Sequence, residues 1–447
     1  MEANNGQTKA GDWRNYQRVL LPPVKDLHRL DVYEQHGGYT ALRTVLTDAK
    51  WEPKAVTEEV KASGLRGRGG AGFSTGLKWS FMPPVDDRPR YLCCNGDESE
   101  PGTFKDRQLM EYNPHLVFEG ILIACYAMSI NTCYLYVRGE YADWISHMER
   151  ELEKLYAKGY VGENIMGTGF STDIVIHKGA GAYICGEESS LMESLEGKRA
   201  YPRIKPPFPA QKGLWGYPTT INNVETLACV PLIINNGAAW YAGIGAERHP
   251  GPVLYGISGH VNKPGVYEYP TGMLITDLIY EVCGGIRGGK KLKAVVPGGS
   301  STPVLRADQI EGVTMDAESL REAGSMMGTA GMLVMDEDTD MVAFLRRVTH
   351  FYHHESCGQC TPCREGTGWL ENLVTRIDEG EGHLRDLDLL LDLCTQMEGR
   401  TVCALADAAA WPVRHTIQRF REEFEARCKP SVFPTGDGAP AEAVPAS

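Results

Sequence analysis

Three thiols at two-residue spacing, Cys357, Cys360 and Cys363 in the run Cys-Gly-Gln-Cys-Thr-Pro-Cys, constrain this chain more than any other stretch. One tight loop aims all three at a single point, so the fold has to bring a further donor back to that loop. Three clustered cysteines with a distant fourth is the ligand arithmetic of a cubane iron–sulfur cluster. Zinc is the competing reading. It more often takes cysteines in separated pairs or adds histidine, and His353 and His354 lie just upstream. A loop of Gly, Gln, Thr and Pro is a poor place to bury three inert thiols. Two cysteines compete for the fourth position. Cys394 ends the largely apolar helical run that starts at Leu389 and reads as a core thiol. Cys403 follows the break Glu398-Gly399-Arg400-Thr401 and opens an Ala-rich helix. A helix start can approach a cluster and offer N–H groups to its sulfurs, which makes Cys403 the preferred ligand.

A chain of 447 residues has room for two to four domains. Its formal net charge of −13 argues against a general nucleic-acid or anionic-membrane binder. Thirteen cysteines, an odd number, behind a polar start with no signal peptide point to a reducing cytosolic compartment. The longest apolar run, Leu116 to Ile130, is interrupted by Glu119 and is too short to span a bilayer, so any membrane association is expected through partners.

The first fifty residues read as a polar arm with a helix from Gly38 to Leu46, and Thr57 to Ala62 reads as a second helix. A glycine-dense loop follows, Gly64 to Trp79, with Arg66, Arg68 and Lys78 among its glycines. Gly67, Gly69 and Gly72 match G-x-G-x-x-G, but the loop follows a helix where a Rossmann fingerprint follows a strand. Glycine lets backbone N–H groups approach a phosphate and the cations balance its charge, so the loop is expected to bind one. Strands at Arg90–Cys94, Cys133–Arg138 and Asp173–His177 then alternate with helices at Leu109–Met128, Tyr141–Ala157 and Glu187–Leu195. That alternation predicts a parallel sheet covered on both faces, with ligands beyond the carboxyl ends of its strands. Two loops belong there. Asn95 to Gly102 carries Asp97, Glu98 and Glu100, and Gly179 to Glu188 leads from a strand into a helix. A carboxylate in the second that accepts a ribose 2′-hydroxyl would favour NADH over NADPH. Tyr201 to Pro209, with four prolines, is expected to be extended and to present Lys205 and Phe208, and Asn222 to Thr226 to enter a helix. From Val253 a hairpin, a helix and further strands predict a small β-grasp module. From Asp336 helical periodicity predicts about four helices, the cysteine loop joining the first two.

A nucleotide-type site and an iron–sulfur site in one chain suggest electron transfer. Nicotinamide gives two electrons as hydride and a cluster takes one at a time, so a flavin is needed between them. Without an FAD fingerprint, FMN is the economical choice.

Three motifs carry a resemblance over about residues 30 to 428: Gly67-Arg68-Gly69-Gly70-Ala71-Gly72-Phe73, Gly179 to Glu188, and Glu355 to Arg364 around the cysteines. Through them the chain resembles the NADH-binding flavoprotein subunit of respiratory complex I, the 51-kilodalton type in its bacterial form. The resemblance implies an α/β architecture: a Rossmann-like FMN domain (1–249, with the amino-terminal arm), a β-grasp (ubiquitin-like) domain (250–335) and a C-terminal four-helix bundle holding a [4Fe–4S] cluster (336–429); the Pro/Ala/Gly-rich composition of 430–447 predicts a disordered tail. It implies that Gly67, Arg68, Gly69, Gly70, Lys78, Asn95, Asp97, Glu98, Gly186, Glu187, Asn222 and Asn223 surround FMN. It implies further that Phe73, Phe81, Glu100, Tyr183, Glu188, Lys205 and Phe208 form the NAD(H) site, and that Cys403 completes the cluster. Hydride transfer between bound NADH and FMN then needs no side-chain acid or base. The implied partners are other peripheral-arm subunits of complex I, above all the small [2Fe–2S] subunit and the large iron–sulfur subunit, with no nucleic acid and no direct membrane insertion. The implied location is cytoplasmic, on the inner face of the cell membrane. One rival is the diaphorase subunit of a soluble NAD-linked hydrogenase or formate dehydrogenase, whose chains often carry an extra amino-terminal iron–sulfur domain. The other is a zinc-stapled scaffold with no enzymatic role.

Overall fold

The computed structural model describes residues 10–430, so all but Pro430 of the tail expected at 430–447 lies outside the described residues. Three bodies follow one another along the chain. In the first, α1 (Pro53–Ala62) and α2 (Thr75–Ser80) bracket the glycine loop. Then come β1 (Tyr91–Gly96), α3 (Asp106–Tyr112), α4 (Pro114–Met128), β2 (Thr132–Val137), α5 (Ala142–Ala157), β3 (Asp173–Lys178), α6 (Glu188–Leu195), β4 (Thr219–Asn223) and α7 (Val224–Asn236). The strands form one parallel sheet in the order β3-β2-β1-β4. Chain order reverses at β1, which has β2 on one side and β4 on the other. The crevice beyond the carboxyl ends of β1 and β4 is therefore the switch point at which such sheets bind ligands.

The apolar run of α4 is the core of this body: all of its residues except Tyr126 are buried, as a helix apolar on all sides must be. Its one acid, Glu119, is satisfied in place by the Tyr33 hydroxyl at 2.6 Å and the N–H groups of Tyr39 and Leu42, both at 3.0 Å. Gly120 is there because α7 touches it: a Cβ would lie 2.0 Å from the Leu227 carbonyl oxygen.

Several expectations are corrected. The helix expected over Leu109–Met128 is two, because Pro114 cannot continue the first turn pattern and instead starts α4. The helix expected from Thr57 begins at Pro53. Asn222 to Thr226 does enter a helix, as expected: Asn223 caps α7, which starts at Val224, and what the sequence did not show is that Asn222 and Asn223 also end a strand. The proline run is not extended throughout: it bends at 205–207, and Pro209–Lys212 is a helical turn. The amino-terminal arm is not a free polar segment. Trp13 is buried against the second body and donates from Nε1 to Asp277 Oδ2 at 3.0 Å. Buried Glu268 accepts from the Tyr16 hydroxyl and from the N–H groups of Val19, Leu20 and Leu21.

The second body is a mixed sheet of β5 (Pro252–Gly259), β6 (Gly265–Pro270), β7 (Leu292–Val296), β8 (Leu305–Arg306) and β9 (Gly331–Asp336). Its order is β8-β7-β9-β5-β6, with β9 parallel to β5 and every other pair antiparallel. The third body is helical: α8 (Met341–Glu355), α9 (Thr361–Asp378), α10 (Leu384–Met397) and α11 (Leu405–Arg419) pack through Leu345, Leu370, Val374, Leu390 and Val413. The cysteine loop joins α8 to α9, as its position in the sequence requires. Among the described residues no helix is long and apolar enough to cross a membrane.

Candidate active site and iron–sulfur centre

Two cavities open at the switch point. The inner one, about 390 Å³, is bordered by Gly69, Gly70, Asn95, Asp97, Glu100, Tyr183, Gly186 and Asn223 from the first body and by Gly298, Ser301, Thr302 and Thr329 from the second. From the third body it meets Cys403, Leu405 and Trp411. The outer one, about 800 Å³, is bordered by Gly67, Phe73, Lys78, Phe81, Glu188, Lys205, Phe208 and Asn222. Gly69, Ala71, Asn95, Gly186, Glu187 and Asn223 border both, so the two are halves of one cleft.

The glycine loop is pinned at its ends by Gly67 N–H to the Phe73 carbonyl at 2.8 Å and Thr75 N–H to Leu65 at 2.9 Å. Between them Gly70 and Gly72 take φ of +116° and +64°, which residues with a Cβ avoid. Asn95 ties the two strand-end loops together, donating to the Gly186 carbonyl at 2.9 Å and accepting from Asp97 N–H at 3.0 Å. Asp97 accepts from Ser99 at 2.9 Å on Oδ1, while its Oδ2 is buried with no partner. Burial pushes its carboxyl up to about 7. A bare buried acceptor on a cavity wall suits a ligand that brings a hydroxyl or N–H.

Three expected ligands border the cleft and are also tied into the protein. Arg68 is buried, and its guanidinium points behind the loop to His249 Nε2 at 2.6 Å, the Pro250 carbonyl at 2.8 Å and the Tyr241 hydroxyl at 3.2 Å. Glu98 accepts from the N–H groups of Lys105, Asp106 and Arg107 and from the Tyr141 hydroxyl, so it caps the start of α3. Glu187 caps α6 through the N–H groups of Ser189 and Ser190 at 2.8 and 2.9 Å. Arg66 also turns from the cleft to Glu318 at 3.5 Å. Helix starts bind the nearest carboxylate, and spacing in sequence does not say whether that carboxylate belongs to the chain or to a ligand.

At the outer mouth Glu188 bridges Lys205 at 2.6 Å and Lys78 at 3.0 Å. Burial alone would raise its pKa; the two lysines outweigh it and hold the carboxyl below the usual range. Phe73, Phe81 and Phe208 stand about half exposed around this bridge, with the first two rings 6.1 Å apart. Half-exposed aromatic rings at a cavity mouth are a stacking surface for a planar base. Deeper in, Glu100 accepts from the Tyr183 hydroxyl at 2.6 Å and from Ser301 N–H at 2.7 Å, joining the first body to the second. Asn222 accepts from Trp79 Nε1 at 2.9 Å. The contributions of Ser301, Thr302 and Thr329 escaped the sequence reading; the Gly/Ser/Thr run at 298–302 was its one signal.

The expected cluster ligands come together at one end of the helical body. Cys357 and Cys360 lie in the loop, Cys363 in the first turn of α9, and Cys403 just before α11, all packed in one apolar cluster. Val402 N–H donates to Cys360 Sγ at 3.4 Å, and Ser356 Oγ lies 3.3 Å from Cys363 Sγ. N–H and O–H groups directed at sulfur suit thiolates that hold a cluster. Cys394 is apart from them, fully buried, its thiol donating to the Ala410 carbonyl at 3.4 Å. Among the described residues no three of His, Cys, Asp and Glu converge on one metal-ion position; a cubane spreads its thiolates over four irons and requires no such convergence.

A parallel-sheet cleft bordered by Cys403, one of four cysteines gathered beside it, defines a flavin- and iron–sulfur-type electron-transfer protein. The comparisons with known proteins make this particular. Residues 60–232 match the Nuo51 FMN-binding domain, 254–342 an SLBB domain, and 343–427 the NADH-ubiquinone oxidoreductase-F iron–sulfur binding region. The second F subunit of the NADH-quinone oxidoreductase of Rhizobium meliloti (strain 1021) is 53% identical over 413 residues, covering 92% of this chain and 97% of the relative. The F subunit of the NADH-quinone oxidoreductase of Rickettsia bellii (strain OSU 85-389) is 50% identical over 402 residues, covering 90% and 95%. A chain in the crystal structure of an air-oxidised NAD+-reducing [NiFe]-hydrogenase superposes with a TM-score of 0.78 at 36% identity, covering 89% of this chain and 68% of that one. The chain belongs to the family of NADH-quinone oxidoreductase F subunits, and its cofactors are FMN and a [4Fe–4S] cluster, with NADH as substrate.

Proposed function

We propose that this chain oxidises NADH in the cleft and delivers the electrons to the cluster bound by Cys357, Cys360, Cys363 and Cys403, as the NADH dehydrogenase subunit of a quinone-reducing respiratory complex. The observation that carries this is the inner cavity, which the glycine loop and Cys403 both border. A donor bound there lies in a cavity that one of the four cysteines, Cys403, helps to line. FMN, when bound, accepts an electron pair as hydride and releases it singly, which a [4Fe–4S] cluster requires of its donor.

The residues supply position and charge. Gly67, Gly69 and Gly70 let the backbone come close to a phosphate, with Lys78 as the nearby cation, while Asn95, Asp97, Asn222 and Asn223 offer polar groups to the flavin. Phe73, Phe81 and Phe208 stack the adenine of NADH, Glu188 accepts from its ribose, and Lys205 faces its phosphates. Glu100 and Tyr183 hold the inner wall and exclude water from the nicotinamide. The middle body is a β-grasp domain, bounded with its neighbours at about 250 and 335. The partners are other iron–sulfur subunits of a peripheral arm, and the location is the cytoplasmic face of the membrane. The rival assembly, a soluble hydrogenase, has the likeness at 36% identity in its favour; the 53% and 50% identities favour the quinone-reducing complex.

An anaerobic absorbance titration tests the reading. NADH bleaches a flavin band at about 450 nm at roughly one equivalent, and NADPH does so poorly. A colourless, zinc-containing protein would refute it.

A further inference from the structure

In the wall of the inner cavity, which Lys105 and Asp106 help to border, lies a set of charges that hydride transfer leaves unused. Lys105 is 1% exposed, with Nζ 2.8 Å from Asp106 Oδ1 and 2.6 Å from Glu225 Oε2. Asp106 and Glu225 are buried as deeply, at 3% and 0%. Ions taken out of water cost several kcal/mol each, so a plain strut would more readily be apolar. The second oxygen of Asp106, Oδ2, accepts from Asn223 Nδ2 at 2.6 Å. Asn223 Oδ1 in turn accepts from Thr226 N–H at 3.3 Å. The Asn223 amide is thus held in one orientation at the rim where the two cavities meet.

We propose that Lys105 and Asp106 are positioning residues for the flavin cleft, acting through Asn223. An ionised carboxylate only accepts, so Asp106 fixes which end of the Asn223 amide faces it and leaves a defined N–H for the cleft. Lys105 Nζ, 2.8 Å from Asp106 Oδ1, holds the other oxygen of that carboxylate and balances its charge. The inference rests on Asn223 facing the flavin in the function proposed above.

The chemistry of an Asp106→Asn exchange makes the relay testable. The new amide turns its oxygen to Lys105, presents its NH2 to Asn223, and forces the Asn223 amide to flip. The flavin-depleted full chain is titrated with FMN, reading flavin fluorescence, for wild type, D106N, N223A and the double variant. D106N and N223A each weaken FMN binding about tenfold, and the double variant is no weaker than about threefold beyond either, since both changes remove one contact. K105Q behaves as D106N, whereas K105R, which keeps the cation, retains the wild-type affinity; this pair reads the relay even if D106N does not fold. Losses that multiply to about a hundredfold in the double variant overturn the relay, because independent sites add in free energy. Full affinity in D106N beside weakened N223A overturns the relay alone. Full affinity in N223A removes Asn223 from the flavin site and overturns both the relay and that part of the functional reading.

Discussion

Replacing Cys360 by serine removes the iron–sulfur centre and leaves the flavin cleft working. Cys360 is partly exposed in the loop between α8 and α9, and its Sγ receives the Val402 N–H at 3.4 Å. Serine fits the same volume, but its hydroxyl is a harder, far weaker ligand for iron than a thiolate. The purified variant is expected to lose at least about ninety per cent of its cluster iron, with NADH-driven flavin bleaching within about threefold of wild type. The separation is expected because the outer cavity that receives the nucleotide is bordered by none of the four cysteines. Two companions sharpen the result. Cys403→Ser is expected to lose the cluster as Cys360→Ser does. Cys394→Ala is expected to keep it and lose only packing, since its thiol is buried against the Ala410 carbonyl. Iron determination and visible absorbance decide all three; a Cys394 variant without cluster and a Cys403 variant with it would reverse the ligand assignment.

The second large effect is on nucleotide choice. Glu188 sits between Lys78 and Lys205, and both lysines keep it ionised. An NADPH 2′-phosphate at the ribose it faces would meet that charge at close range. Two like charges about 4 Å apart in a partly buried site repel by up to about 4 kcal/mol, and screening leaves roughly 2 to 3. Glu188→Gln removes the repulsion, keeps an acceptor for the 2′-hydroxyl and frees two cations for the extra phosphate. The ratio of kcat/KM for NADPH to that for NADH is expected to rise about a hundredfold, chiefly through NADPH. An unchanged ratio in steady-state assays would mean that Glu188 is a brace for the two lysines and not the selector.

The cluster centre was legible because its information is local. Two-residue spacing closes one loop, and a helix start recognisable from Glu398-Gly399-Arg400-Thr401 brings Cys403 to it. The alternation of strands and helices from β1 to α6 was equally plain, since buried parallel strands are short apolar runs between turn signals. β4 was not: Thr219-Thr220-Ile221-Asn222-Asn223 has one large apolar residue, and its strand character comes from pairing with β1. Direction was the other limit. Asp97, Glu98 and Glu100 share four positions of one loop, yet one has an oxygen buried without a partner, one caps α3 and one joins two bodies. Arg68 likewise reads as a phosphate ligand until the distant segment before β5 supplies His249 and Pro250 behind it. The Glu100 and Arg68 outcomes depend on partners far along the chain, while the Glu98 cap is local but indistinguishable in sequence from a ligand for something else.

The central claim is that a pair of electrons entering the cleft leaves singly through the centre at Cys403. Electron paramagnetic resonance of the anaerobic chain, frozen after stepwise addition of NADH, tests it most directly. A reduced iron–sulfur signal is expected to grow with NADH and to be absent from the Cys360→Ser variant. A flavin that bleaches fully while the intact cluster stays oxidised and silent would contradict it.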